Sequence, residues 1–285
     1  MIKNIDGLLF HLFDQIRKQC DVAIIGLSGG ADSTLVAILC TLALGKENVV
    51  GVHMPYSSVD SSGTKFNARS IRFARKLGVQ EHYIPINKIA DEICFAVDPG
   101  SDHYKSRIWH GALSQLDKGN ARSRARMCVL YGLSGQLAHE EFPGKRLRVV
   151  GTGNLSEDFI GYDTKGGDAL ADFHPIGRLY KSEVYQLLSH FVSIGMIDEE
   201  HVDRVPSAGL WDGQTSEGEL GHSYNEMEPA VRAVITADRG AMYTKHPECG
   251  SKEANDMVDF VVKRHLGNSH KHAAIPSFEV EEYVD

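Results

Sequence analysis

Residues 26–33 read GLSGGADS, between the apolar run DVAII at 21–25 and the apolar stretch TLVAILC at 34–40. An apolar strand that ends in small residues and turns directly into a helix is one half of a βαβ unit. The other half follows: NVVGVHM at 48–54 reads as a second buried strand that stops at Pro55. Parallel strands need such a helical crossover, so the pair predicts a parallel sheet. Further along, a helical stripe at Phe66, Phe73, Ala74 and Leu77 closes at Gly78, a strand lies near HYIPI at 82–86, and a mostly helical region spans 87–141. RLRVVGT at 146–152 adds another strand, and helices near 182–194, 225–235 and 253–265 complete the chain. Strands alternating with helices give the expected fold class: α/β, a doubly wound, mostly parallel sheet with helices on both faces. The whole of 1–285 is read as one domain. In that class ligands bind beyond the carboxyl ends of the strands. GLSGGADS is at one such end and VVGTGN at another.

Composition narrows the chemistry. The 285 residues carry 38 acidic and 30 basic side chains, a formal charge of −8, which argues against a nucleic-acid surface and favours a local pocket for a small charged ligand. Five scattered cysteines, Cys20, Cys40, Cys94, Cys128 and Cys249, form no C-x-x-C pair, so free thiols in a reducing compartment are expected rather than disulfides or zinc. Lys3, Asp6 and Asp14 with spaced apolar residues read as neither signal peptide nor membrane span, which points to the cytoplasm. Those apolar residues, Ile5, Leu8, Leu9, Leu12, Phe13 and Ile16, instead form the stripe of an amphipathic first helix that either the sheet or a second subunit must cover.

The glycine loop has its own chemistry. Gly29 and Gly30 leave backbone N–H groups unshielded, Ser28 and Ser33 add hydroxyls, and the following helix presents its positive end, so the loop suits a phosphate. Asp32 would repel that phosphate unless a cation lay between them. Magnesium is such a cation, because it prefers oxygen ligands and binds through carboxylates together with substrate phosphates. The loop lacks the Gly-Lys-Ser/Thr ending of a Walker motif. A plain strand-to-helix turn capped by Asp32 or Ser33 is the bland alternative.

SGGADS resembles the S-G-G-x-D-S loop of enzymes that cleave ATP between its α and β phosphates. Among them, GTGNLSEDFIGYDTKGGDALADFHPIGRLYK at 151–181 resembles the signature of the ammonia-dependent NAD synthetase family. GNARSRARM at 119–127, PSAGLWDGQTSEGELG at 206–221 and SHKHAAIP at 269–276 resemble further family segments in the expected order. The resemblance implies that the pyridine carboxylate of deamido-NAD (nicotinic acid adenine dinucleotide) is adenylated by ATP with loss of pyrophosphate, and that ammonia then displaces AMP to give NAD. It implies ATP binding by Gly26, Leu27, Ser28, Gly29, Gly30, Ala31, Asp32, Ser33, Thr152, Lys181 and Ser207. Magnesium would be held by Asp32 and Glu157, with Asp32, Glu157 and Lys181 as the catalytic set, and deamido-NAD by Arg124, Lys165, Asp172, His270 and Lys271. It also implies a homodimer with small-molecule substrates only, and Asp168 is a candidate for handling ammonium.

The chain departs from the family pattern at His53, where an arginine is common, at Asp163 and Gly166, where aromatics are expected, at His174, often asparagine, and at His272, in a tail without the usual arginine. None of the five cysteines has the setting of a glutaminase nucleophile, so ammonia itself is the expected nitrogen donor. Two other readings remain: another ATP-pyrophosphatase such as a tRNA-modifying enzyme, against which the missing C-x-x-C counts, and a non-catalytic nucleotide-binding module. The second gives no reason for Glu157, Lys165 and Lys181 to occur together.

Overall fold

A computed structural model describes residues 1–56, 63–98, 113–202, 214–238 and 251–273. In chain order the elements are α1 (Ile5–Gln19), β1 (Val22–Gly26), α2 (Ala31–Leu44), β2 (Val49–His53), α3 (Gly63–Leu77), β3 (Gln80–Tyr83), α4 (Asn87–Val97), α5 (Gln115–Glu140), β4 (Leu147–Val150), α6 (Leu155–Ile160), α7 (Lys181–Ser193), α8 (Ser216–Leu220), α9 (Tyr224–Asp238) and α10 (Lys252–Asn268). The four strands form one sheet in the order β3-β2-β1-β4, and every pairing is parallel. The doubly wound expectation is met. Because the chain leaves β1 toward β2 on one side and returns to β4 on the other, the switch point lies between β1 and β4.

Period-two alternation sorts β1 between two cores. Ala23 and Ile25 face α1, α2 and α7, where Leu35, Ile38, Leu39, Leu187 and Leu188 are fully buried. Val22 and Ile24 face α4 and α5 and pack with Ala90, Leu130, Leu133 and Leu137. Each such aliphatic side chain is worth about 1.5–3 kcal/mol of burial. A third apolar cluster joins α6 to α8, α9 and α10 through Ile160, Leu220, Met227, Val231 and Val258.

The stripe of α1 is covered from within. Leu9 and Ile16 are buried in the α2 and α7 core, and Ile5, Leu8, Leu12 and Phe13 pack against it, so this helix makes no demand for a second subunit. His53 also differs from a nucleotide-facing residue. It is 2% exposed, Nδ1 lies 3.0 Å from Ser70 Oγ, and Nε2 lies 3.2 Å from Glu81 Oε2. Burial, the larger effect, lowers its pKa although Glu81 works to raise it. It holds α3 and β3 together rather than facing a ligand. Cys20, Cys40, Cys94 and Cys128 are unbridged, as expected, whereas Cys249 lies outside the described residues. No helix among the described residues is long and apolar enough to cross a membrane.

Two features direct side chains to the carboxyl edge of the sheet. The α2 amino terminus begins behind Gly29, whose φ of 73° is a left-handed angle that a β-carbon would strain. Helix α5 opens on a capping box at Ser114 and Asp117, and its far end lies beside the start of β3, where Gln80 Nε2 donates to Glu141 Oε2 at 2.8 Å. Its first half therefore extends past the strand ends, where Ser123 Oγ donates to Asp168, Arg124 Nε to the Lys165 carbonyl and Arg126 Nε to the Met54 carbonyl behind β2.

Candidate active site

The loop of residues 26–33 is organised by its own hydroxyls. Gly30 N donates to Ser28 Oγ at 3.2 Å, Ser33 Oγ donates to the Gly30 carbonyl at 3.1 Å, and the two serine oxygens lie 3.0 Å apart. Asp32 stands in the first turn of α2 and leans across to the β4 side, where Oδ1 accepts from Asn154 Nδ2 at 2.9 Å. Asn154 is fully buried and caps α6, its Oδ1 accepting from Glu157 N at 3.1 Å. One side chain thus ties the glycine loop to the helix that carries Glu157. Asn154 is a site residue outside the set the family resemblance implies; its spacing of three residues before an acid in a first helical turn is the N-cap signal that marks it in the sequence.

Lys181, first residue of α7, closes the constellation. Its Nζ lies 2.5 Å from Asp32 Oδ2 and 2.9 Å from Glu157 Oε1, and the side chain is 4% exposed. Three residues on α2, α6 and α7 thus converge at the switch point. Burial pushes the Glu157 carboxyl up to about 7; Lys181 opposes that shift and the neighbouring Asp32 adds to it. Burial works to lower the Lys181 pKa, but the two carboxylates outweigh it and the net shift is upward. The backbone N of Lys181 also donates to Ser156 Oγ at 3.0 Å, which fixes α7 to α6.

Asp32 and Glu157 are a pair of hard oxygen donors facing one cation position, beside a loop with serine hydroxyls. That donor set suits magnesium. The carboxylates already share an ammonium, so the arrangement is one built to surround positive charge.

Of the remaining sequence-derived residues, Arg124, Lys165, His270 and Lys271 gather where the C-terminal turn meets the loop after α6. Lys165 Nζ donates to the His270 carbonyl at 2.7 Å, Arg124 Nε donates to the Lys165 carbonyl at 3.2 Å, and Lys271 Nζ donates to the carbonyls of Gly161 and Asp163, both at 2.7 Å. Arg124, Lys165 and His270 are exposed. Asp168 and Asp172 bind backbone: Asp168 Oδ1 accepts from Ser123 Oγ at 2.6 Å and Thr164 N at 3.0 Å, and Asp172 Oδ2 accepts from Val149 N at 2.7 Å. Thr152 is half-buried between β4 and α6, and Ser207 lies outside the described residues. His174, at a position often asparagine in the family, has a polar contact here: Nδ1 accepts from Gly153 N at 3.2 Å. Between α6 and the end of α10 a cavity of about 530 Å³ is lined by Asp158, Phe159, His174, Arg178, His265 and His272.

A family model described as NAD synthase matches residues 10–274. The chain is 35% identical over 258 residues to the NH(3)-dependent NAD(+) synthetase of Methanosarcina acetivorans, covering 90% of this chain and 89% of the relative. The protein of that name from Pyrococcus horikoshii is 38% identical over 236 residues, 82% and 80% of the two chains. Among solved structures, the NH3-dependent NAD synthetase of Campylobacter jejuni is similar with a TM-score of 0.70 at 26% identity, covering 97% of this chain and all (100%) of that one. NMN synthetase from Francisella tularensis gives 0.69 at 26% identity, with 96% and 97% covered.

Proposed function

The chain belongs to the NAD synthase family: it is an ATP-dependent carbon–nitrogen ligase that amidates deamido-NAD with ammonia, and we propose how its residues divide that work. A carboxylate is a poor electrophile because its leaving group would be oxide. Attack of its oxygen on the α-phosphorus of ATP expels pyrophosphate and leaves an acyl adenylate; attack of ammonia on that carbonyl carbon then expels AMP and, after loss of a proton, leaves the amide. The observation that carries the assignment is the meeting of Asp32, Glu157 and Lys181 beside the glycine loop.

Backbone N–H groups from Gly29 to Ser33 and the hydroxyls of Ser28 and Ser33 hold the triphosphate, with Gly26, Leu27 and Thr152 lining the ATP position; Ser207, outside the described residues, is assigned to ATP by the family resemblance alone. Asp32 and Glu157 hold magnesium, which when bound offsets charge on the phosphates. Lys181 contributes a fixed ammonium to the same charge, held in place by two carboxylates so that little reorganisation is needed as pyrophosphate departs. Arg124 and Lys165 supply cations for the dinucleotide, and His270, Lys271 and Asp172 border it. Arg124, Lys165 and His270 are joined by hydrogen bonds, and Lys271 follows His270 on the same turn; this proximity supports a shared task.

The chain acts on small molecules in the cytoplasm and as a homodimer. For the dimer the support is apolar surface: Ile89, Phe95 and Val97 of α4 and Leu116 of α5 are all at least 40% exposed. Sedimentation is expected to give a dimer, and a fully active monomer would remove that part of the reading.

The decisive experiment supplies the purified chain with ATP, magnesium and deamido-NAD, and offers ammonium chloride or ammonia-free glutamine as the sole nitrogen source. NAD, AMP and pyrophosphate should form in equal amounts with ammonium and not with glutamine. Because neutral ammonia is the nucleophile, half-saturation in total ammonium should fall as pH rises. Comparable product from glutamine would contradict the assignment. A parallel arm with nicotinic acid mononucleotide tests the one alternative raised by the Francisella tularensis structure, whose name specifies the mononucleotide product; a preference for that acid would reassign the substrate.

A further inference from the structure

The end of α10 and the turn after it are stitched to the loop that follows α6, and the stitching is electrostatic. Asp163 has a side chain only 5% exposed, so its carboxylate depends on the few polar groups that reach it inside the fold. Two groups from the C-terminal turn face it: Lys271 Nζ lies 3.3 Å from Oδ1, and His272 Nε2 contacts Oδ2, a contact that raises the His272 pKa against the effect of burial and so favours the imidazolium. A buried carboxylate is tolerated only where such groups pair with it. Lys271 also spends hydrogen bonds on the Gly161 and Asp163 carbonyls, which caps the carboxyl end of α6 with a positive charge. The contact beneath is close. Gly161 has a φ of 64°, and a β-carbon there would collide with Asn268.

The same turn reaches the substrate group from the other side, since Lys165 Nζ donates to the His270 carbonyl at 2.7 Å. Asp163 and Lys165 are two residues apart on one loop, and His270 and His272 are two apart on the turn. An ion pair at one rung therefore sets the spacing at the other. We infer that Asp163 is a positioning residue: its pairing with His272 and Lys271 clamps the C-terminal turn onto residues 161–165 and so holds Lys165 and His270 in register for the dinucleotide. Asp163, an acid where an aromatic is expected, and His272, in a tail without the usual arginine, are both departures from the family pattern, and the two meet in space. His272 also forms part of the wall of the 530 Å³ cavity beside α6, so loosening the clamp alters that wall as well. The inference rests on the assignment of Lys165 and His270 to the dinucleotide.

The test is a double-mutant cycle in the full chain: Asp163→Asn, His272→Gln, both together, and His272→Lys, which keeps a cation. Each removal should raise KM for deamido-NAD about tenfold while kcat and KM for ATP stay within about threefold, and the double variant should be no worse than the poorer single one. His272→Lys should return KM toward wild type. Backbone amides of 269–272 should exchange faster in all three clamp-breaking variants. Unchanged KM for deamido-NAD, equal rises in both KM values, or strictly additive effects would overturn the inference. Stoichiometric zinc or manganese binding that survives Asp32→Asn but is lost in the Asp163→Asn/His272→Gln variant would overturn it too, in favour of a metal centre formed by Asp158, Asp163 and His272. If the wild-type chain made no NAD, the functional reading would fail by itself; non-additive amide exchange in the cycle would still report the clamp, and additive exchange would refute it.

Discussion

Turnover is expected to fall roughly 10²–10³-fold when Asp32 is replaced by Asn or Glu157 by Gln, a rise of about 3–4 kcal/mol in the barrier. Each change keeps the side chain's shape and removes one hard anionic oxygen. Asn at 32 can still accept from Asn154 Nδ2, which keeps the link between the glycine loop and α6, but its amide nitrogen then faces the Lys181 ammonium, so the variant loses the pairing with Lys181 together with the anionic oxygen. Magnesium dependence separates this from a general defect. Burial pushes the Glu157 carboxyl up to about 7, and metal binds the ionised form. The magnesium concentration for half-maximal rate in wild type should therefore drop as pH rises through 7 and level off above it. Glu157→Gln has no such group and should lose most of that slope. Rates near wild type at saturating magnesium in both variants would take these residues out of the metal site.

Much of this arrangement was legible because short-range patterns carry it. The apolar run at 21–25 alternates between two cores, which is what a strand buried on both faces requires, and GLSGGADS behind it marks the β1–α2 turn. The motif at 151–181 likewise placed Glu157 and Lys181 on neighbouring elements. Their meeting with Asp32 was not derivable from spacing, since 149 residues separate Lys181 from Asp32 and only the order β3-β2-β1-β4 brings α2 and α7 together. The first helix illustrates the converse. An amphipathic stripe states that something must cover it and never what, and here the chain's own α2 does. Asp168 and Asp172 show a third limit: a motif fixes residue types, but the oxygens of these two are engaged by Ser123, Thr164 and the β4 backbone, contacts that depend on where α5 and β4 lie. Asp163 and His272 stood out in the sequence only as departures. That they neutralise one another became visible once α10 was packed on Gly161.

Lys181→Met is expected to destabilise the metal-free protein by about 3 kcal/mol at pH 8, and magnesium should restore most of the loss. The side chain is 4% exposed and is the cation shared by Asp32 and Glu157, whose own side chains are 17% and 20% exposed. Methionine preserves the volume and removes the charge, so two carboxylates are left facing each other with only partial access to water. The pH dependence has a definite sign. Glu157 is already raised by burial, and losing the ammonium, which acts to lower its pKa, raises it further. A carboxyl whose folded pKa exceeds its unfolded value favours the fold while protonated, and that advantage disappears as pH climbs through the folded pKa. The deficit of the variant should thus be small near pH 5 and grow toward pH 8. A divalent cation between the same carboxylates replaces the missing charge and binds only the folded chain, so the midpoint of urea unfolding should rise more with magnesium in the variant than in wild type. Catalysis should not recover with stability, because the metal restores the neutralisation of Asp32 and Glu157 without restoring an ammonium at the phosphates. Equal stability of the two proteins without magnesium at pH 8, or an equal magnesium effect on both, would show that Lys181 is not the counter-ion of this pair.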